Sequence, residues 1–221
     1  MTTHEQASVL MDAPLHVDLA IVGAGPCGLA AGVAARRAGL SVVLLDRGPI
    51  VAGIAQYPTY MTFFSTGERL SIGGLPFVVA GEKPSRRDAL AYYRAVASHY
   101  DLPVRQYETV TSIVRADSPD SAVAVGVGAT ASETANATSN HRGTAHAEER
   151  RVRWRVQSRM RSGRERVVLA RAVCVATGYF GRPNLLGVPG ETLPHVQHGY
   201  TEGHFAWREP VVVVGGGNSA V

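Results

Sequence analysis

The chain has 221 residues, with 45% hydrophobic, 18% charged and 7% aromatic residues. That balance excludes a wholly disordered chain, a collagen-like repeat and a disulfide-stapled mini-protein, and it is enough for a sizeable core. The net charge of +4 and pI near 9.3 arise from Arg, Lys83 being the sole lysine. Much of that Arg falls between Arg142 and Arg171, so the charge is local and does not point to a nucleic-acid partner.

Residues 1–14 read as a disordered leader without the basic start and apolar stretch of a secretory signal. The uncharged stretch 19–35 has nearly the length of a membrane span, but its four glycines and a proline favour a buried strand–turn–helix. No membrane association is expected, and a soluble cytoplasmic protein is the default. Residues 17–22, apolar apart from Asp18, predict a strand buried on both faces. A glycine turn follows, then an Ala-rich helix over 29–38 with Gly39 placed to cap it. Residues 41–45 predict a second buried strand closed by Asp46, which completes a βαβ unit.

Residues 48–83 are irregular, and a loop region of that length in a compact domain is usually functional. Ser85 and Asp88 predict the capping box of a helix over 85–100. Residues 103–114 read as one further strand. Residues 116–150, rich in Ala, Ser, Thr, Asn and Gly, read as a disordered insertion at a hairpin tip. Alternation returns at 151–156, with Val152, Trp154 and Val156 on one face and Arg151, Arg153 and Arg155 on the other. Residues 166–170 pair with it through a turn at Ser162 and Gly163. The basic stretch is then the solvated face of a hairpin. Residues 173–176 predict another buried strand, which places Cys174 in the core. A Pro/Gly connector follows, and 211–214 predict a fresh buried strand.

The first motif is Gly23-Ala24-Gly25-Pro26-Cys27-Gly28. It follows a predicted strand, opens a predicted helix and has Asp46 downstream, which is the context of a dinucleotide site. Gly23 allows the tight turn, Gly25 lets the backbone approach a pyrophosphate, and Gly28 lets helix and strand pack closely. The pyrophosphate would sit at the positive helix end. Asp46 can accept ribose hydroxyls and would repel a 2′-phosphate, so FAD or NAD fits here better than NADP. Gly215-x-Gly217-x-x-Ala220 starts a second such motif, which implies an oxidoreductase that uses two dinucleotides.

Cys27 has two readings: a small residue in the first helical turn, or a thiol activated by the helix N-terminus. A bound pyrophosphate would oppose the second. Two cysteines without a C-x-x-C cannot form a disulfide framework or a local redox pair. His195, His198 and His204 are only loosely grouped, and no metal site is expected.

Together these residues resemble the FAD site of flavin-dependent pyridine nucleotide–disulfide oxidoreductases, with Ala176-Thr177-Gly178 matching the second FAD-contacting segment. Gln56-Tyr57-Pro58-Thr59, Thr62-Phe63-Phe64-Ser65-Thr66, Ile72-Gly73-Gly74, Lys83-Pro84-Ser85-Arg86, Glu202-Gly203-His204 and the tail from Gly217 to Val221 look like the bacillithiol disulfide reductase (YpdA) family. The resemblance implies an α/β Rossmann-like, FAD/NAD(P)-binding three-layer ββα fold with a β-meander and a truncated second Rossmann unit. It divides the chain into an incomplete FAD domain over 15–115 plus 151–209, the insertion, and the start of an NADPH domain over 210–221.

The implied FAD contacts are Gly23, Gly25, Pro26, Gly28, Asp46, Arg47, Ala176, Thr177 and Gly178, with Gln56, Tyr57 and Val110 added by position. The implied NADPH contacts begin with Gly215, Gly217, Asn218 and Ala220. The activity implied is hydride transfer from NADPH to FAD, then electron transfer to a small-molecule thiol disulfide, with Cys27 the candidate catalytic thiol. A homo-oligomer is implied for the full-length protein. The 116–150 insertion departs from the family pattern. The family's chain also returns to complete the flavin site after its nucleotide domain, so the 221 residues alone are expected to be inactive. The alternatives are a flavin monooxygenase or sulfide-oxidising relative, and a non-catalytic FAD-binding remnant.

Overall fold

A computed structural model describes residues 13–116, 122–123, 152–181 and 183–217. The N-terminal unit is β1 (Leu15–Val22), α1 (Pro26–Arg37) and β2 (Val42–Leu45). Helix α1 begins three residues earlier than its Ala-rich run predicts, because Pro26, with its fixed φ, serves as the first helical residue. Gly39 ends it in a left-handed conformation (φ +73°), with the Leu40 N–H bonded to the Ala35 carbonyl. The irregular region holds two single-turn helices, α2 (Ala52–Ala55) and α3 (Gly67–Leu70). Helix α4 (Arg86–His99) carries the expected reciprocal capping box between Ser85 and Asp88.

The predicted strand over 103–114 is two strands, β3 (Val104–Arg105) and β4 (Glu108–Arg115). Tyr107, at φ +56°, turns the chain sharply between them. The reverse correction applies to 166–170 and 173–176. They form one strand, β7 (Glu165–Val175), after β6 (Trp154–Met160). Residues 122–123, assigned above to a disordered insertion, form a short strand β5 (Ala122–Val123) antiparallel to β4. The remainder of the predicted leader and insertion lies almost wholly outside the described residues.

The sheet order is β3-β2-β1-β7-β6-β4-β5. Strands β3, β2, β1 and β7 run parallel, and β7, β6 and β4 form an antiparallel meander. Strand β7 belongs to both parts: Val168 pairs with Leu15 of β1 and with Val156 of β6.

Alternation along β2 shows the layering. Val42 and Leu44 pack with Leu29, Val33, Tyr93 and Val96 on the helical side. Val43 and Leu45 pack with Ile113, Val156 and Val168 of the meander. Both faces of the parallel sheet are therefore covered, which explains why its strands read as continuous apolar runs. This is the expected three-layer arrangement of helices, parallel sheet and meander. Val156 of β6 is buried while Arg155 of β6 and Arg153 just before it are exposed, so these arginines form a solvated face as read; Arg151 lies outside the described residues.

Away from the glycine turn, an ion pair ties the parallel strands. Ser41 donates to Asp18 Oδ2 from its hydroxyl (2.6 Å) and its backbone N–H (2.9 Å), and Arg171 Nη1 donates to Asp18 Oδ1 at 2.7 Å. The Ser41 side-chain bond, then its backbone bond, then Arg171 hold the Asp18 carboxyl down to about 2. A folded pKa below the unfolded value stabilises above about pH 4 and is lost as pH falls through about 2. With partial exposure of the pair, the expected contribution is about 1–2 kcal/mol. Urea midpoints measured from pH 5 to pH 2 should fall less for Asp18→Asn than for the wild-type chain. Parallel curves would contradict this.

Candidate dinucleotide site

Strands β1, β2 and β7 end level, with Val22 in register with both Leu45 and Val175. The Gly23 N–H then bonds the Leu45 carbonyl at 2.7 Å, and the Ala176 N–H bonds the Val22 carbonyl at 2.7 Å. The chain builds β2 and β3 on one side of β1 and β7 on the other. That is the topological switch at which open α/β sheets form a crevice.

The three motif glycines have separate structural roles. Gly23 sits at φ +112°, and a Cβ there would lie 2.2 Å from the Ala176 carbonyl oxygen. A Cβ on Gly28 would lie 2.0 Å from the Gly23 carbonyl oxygen. Gly25 is different, because a Cβ there would meet nothing within 4 Å among the described residues. Gly23 and Gly28 are thus required by the fold, whereas Gly25 borders open space. Gly25 is the N-cap of α1, with no side-chain cap and no acid in the first turn. The positive helix end is left to face the crevice.

Asp46 is fixed from two sides. Its Oδ2 accepts the Ala24 N–H at 2.7 Å and its Oδ1 accepts the Gly48 N–H at 2.8 Å. A carboxylate has about four acceptor positions, so acceptors remain for a ribose. Sequence reading gave Asp46 only the ligand role and missed that it also ties the glycine turn to β2. It also missed the turn between β3 and β4, which braces the segment. The Asp46 carbonyl accepts the Glu108 N–H (2.8 Å), the Gly48 carbonyl accepts the Tyr107 N–H (3.1 Å), and Gln106 Oε1 accepts the Ile50 N–H (2.8 Å). The polar Arg105, Gln106 and Glu108 inside an apolar pattern were the available signal.

Arg47 reaches toward the segment after β7, its Nη2 lying 3.2 Å from where a Cβ on Gly181 would be. Thr177 and Gly178 are exposed beside the glycine turn, while Ala176 is half-buried. The structure therefore brings together Gly23, Gly25, Pro26, Gly28, Asp46, Arg47, Ala176, Thr177 and Gly178. Open space at Gly25, remaining acceptors on Asp46 and an uncapped helix end together fit an adenine dinucleotide.

Cys27 is exposed in the first turn of α1, and Cys174 is half-buried on β7 against the helical core. Gln56 is exposed at the end of α2, and Tyr57 is half-buried with its ring centroid 5.9 Å from Phe63. The Val51 N–H bonds the Ala24 carbonyl at 3.0 Å, which ties the start of α2 to the glycine turn. Burial first, then Tyr92, Cys27 and Tyr57, push the Tyr93 phenol up to about 12. Cys27 and Tyr57 thus lie within electrostatic reach of one phenol. Val110 is half-buried in the meander where the β4 register shifts.

The second motif departs from expectation. Val211, Val212, Val213 and Val214 are 61–86% exposed and form no strand. The physical reason is that no strand among the described residues pairs with them. Gly215 takes a positive φ (+123°), Gly217 is exposed, and Asn218 and Ala220 lie outside the described residues. Among the described residues no group of three His, Cys, Asp or Glu side chains could hold a metal. No helix there is long and apolar enough to cross a membrane.

A parallel sheet with this switch point, a glycine turn, an acid at the next strand end and an antiparallel meander defines the dinucleotide-binding class of α/β oxidoreductases. The chain belongs to the pyridine nucleotide-disulphide oxidoreductase family, whose pattern matches residues 20–128 and 158–221. Flavin and NAD(P)H use goes with that family. The chain is 32% identical over 202 residues to the bacilliredoxin reductase Bdr of Bacillus subtilis, covering 91% of this chain and 50% of the relative. The solved bacillithiol disulfide reductase Bdr (YpdA) of Bacillus cereus superposes with a TM-score of 0.75 at 33% identity, over 93% of this chain and 53% of that one. A flavin-containing monooxygenase of Arabidopsis thaliana, FMO GS-OX4, is 26% identical over 231 residues, 89% of this chain and 43% of the relative. The chain spans about half the length of the relatives it matches.

Proposed function

We propose that the chain forms the FAD-binding part of a reductase that moves electrons from NADPH through flavin to a low-molecular-weight thiol disulfide, with bacillithiol disulfide the first substrate to test. The observation that carries the FAD reading is the open space at Gly25, set between the uncapped end of α1 and the fixed carboxylate of Asp46. Likeness to Bdr supports the substrate class.

The α1 N-terminus would hold the pyrophosphate, Asp46 the adenosine ribose, and Ala176, Thr177 and Gly178 would line the opposite wall. Arg47 would close the adenosine end. Gln56, Tyr57 and Val110 would flank the flavin. Bound FAD supplies two-electron transfer between a reduced nicotinamide and a disulfide. The turn at Gly215, Gly217, Asn218 and Ala220 would begin the NADPH site. Cys27 is the candidate exchange thiol: it is free, exposed and set in the first turn of α1, beside the glycine turn. A reducing cytoplasmic setting and homo-oligomeric assembly belong to the same reading.

Likeness to flavin monooxygenases, including one from Stenotrophomonas maltophilia at 28% identity and TM-score 0.54, keeps oxygen as the competing acceptor. The test is NADPH oxidation by the enzyme that carries this chain, with bacillithiol disulfide or with oxygen alone. Disulfide-dependent oxidation, largely lost in Cys27→Ser, is expected. Equal oxidation with oxygen alone would favour the monooxygenase reading, and a fully active Cys27→Ser would remove Cys27 from the mechanism.

A further inference from the structure

We propose that Arg86 is a positioning residue that sets Gln56 and Tyr57 at the flavin; the inference rests on the FAD reading above. Arg86 occupies the first position of α4, where a cation opposes the helix dipole. The Ser85–Asp88 capping box already secures that helix end, so α4 does not need the arginine to start. The side chain is tucked under the loop that leaves the glycine turn. Its Nη2 donates to the Ala55 carbonyl at 2.6 Å, while its Nε is buried with no hydrogen-bond partner among the described residues.

A cation at the wrong helix end and a buried donor without an acceptor are two local penalties on one side chain. Such rule-breaking residues concentrate where function requires them. What Arg86 holds indicates the requirement. The far end of the loop is fastened by backbone: Arg86 N–H to Met61 carbonyl (2.8 Å), Phe63 N–H to Pro84 carbonyl (2.8 Å) and the Thr62–Ser85 bridge. The near end is fastened by the Arg86 side chain at Ala55, the last residue of α2. Gln56 and Tyr57 are the next two residues, so the guanidinium fixes where the chain leaves α2 toward them. A methionine could fill similar space but could not hold that carbonyl.

The experiment compares FAD dissociation constants and the visible flavin spectrum of the protein carrying Arg86→Met, Arg86→Lys or no change. Loss of a charge-assisted bond predicts FAD affinity lower by about 10–100-fold in Arg86→Met, with an altered flavin spectrum. Arg86→Lys keeps one charged donor and should recover part of both. If Arg86 acts through the loop, Gln56→Ala should weaken FAD much less in the Arg86→Met background than alone. Unchanged affinity and spectrum in Arg86→Met would overturn the proposal, as would additive losses with Gln56→Ala. Should Arg86→Met fail to fold, Arg86→Lys decides, because wild-type affinity together with a wild-type spectrum would overturn the role. Failure of the unchanged protein to bind FAD would instead overturn the reading of the whole site.

Discussion

Gly28→Ala and Gly25→Ala are expected to fail in opposite ways. A Cβ on Gly28 would press to 2.0 Å against the Gly23 carbonyl oxygen, a backbone atom pinned by the turn. Gly23 is itself bonded to the end of β2, so the overlap cannot be relieved by rotating a side chain. The expected loss is about 3 kcal/mol of stability, and FAD binding is lost with the fold. Gly25 sits at φ −77° with open space around it, so alanine there should change stability by less than about 1 kcal/mol, the usual scale of an N-cap change. On the proposed FAD site its methyl group would nevertheless stand where the pyrophosphate would approach, and FAD affinity should fall about tenfold or more. Urea unfolding and FAD titration on the two variants separate these outcomes. Equal loss of stability in both would mean that Gly25 serves the fold rather than a ligand.

Glu108→Ala is expected to destabilise the chain by about 2–4 kcal/mol. Glu108 is 2% exposed, accepts the Ser158 hydroxyl at 2.6 Å and Arg166 Nη1 at 3.2 Å, and has Arg105 Nη1 at 3.6 Å. One carboxylate thus joins β3, β4, β6 and β7 where the parallel sheet turns into the meander. Alanine would take the acceptor from Ser158 and the counter-charge from two guanidiniums, and would leave a hole in their place. The backbone bond from residue 108 to the Asp46 carbonyl would survive, so the glycine turn should keep its shape. Glu108→Gln keeps the volume and one acceptor and should lose about half as much. Denaturation midpoints test both, and an unchanged midpoint in Glu108→Ala would show that the meander does not depend on this carboxylate.

The features legible in the sequence were those set by near neighbours. The glycine turn, the Ser85–Asp88 cap, Gly39 and the Arg/Val alternation of β6 all follow from steric or hydrogen-bonding rules within a few residues. Strand continuity was not legible, because pairing partners lie far along the chain. Residues 166–176 look like two strands until β1 and β6 are both in place, and then one strand serves both. Residues 103–114 look like one strand until Tyr107 turns the chain. Val211 to Val214 have every local mark of a buried strand but find no partner among the described residues. The same holds at the site. Motif spacing located Asp46 and the glycines, whereas the bracing by Gln106 and Glu108 and the hold of Arg86 on Ala55 depend on tertiary contact.

The most direct test of the central claim is to release and identify the cofactor carried by the purified protein to which this chain belongs. The proposed function predicts FAD, one per chain, lost or greatly diminished in Gly25→Ala while the protein stays folded. A folded protein that carries no flavin and takes up none, or one that carries FMN, would contradict it.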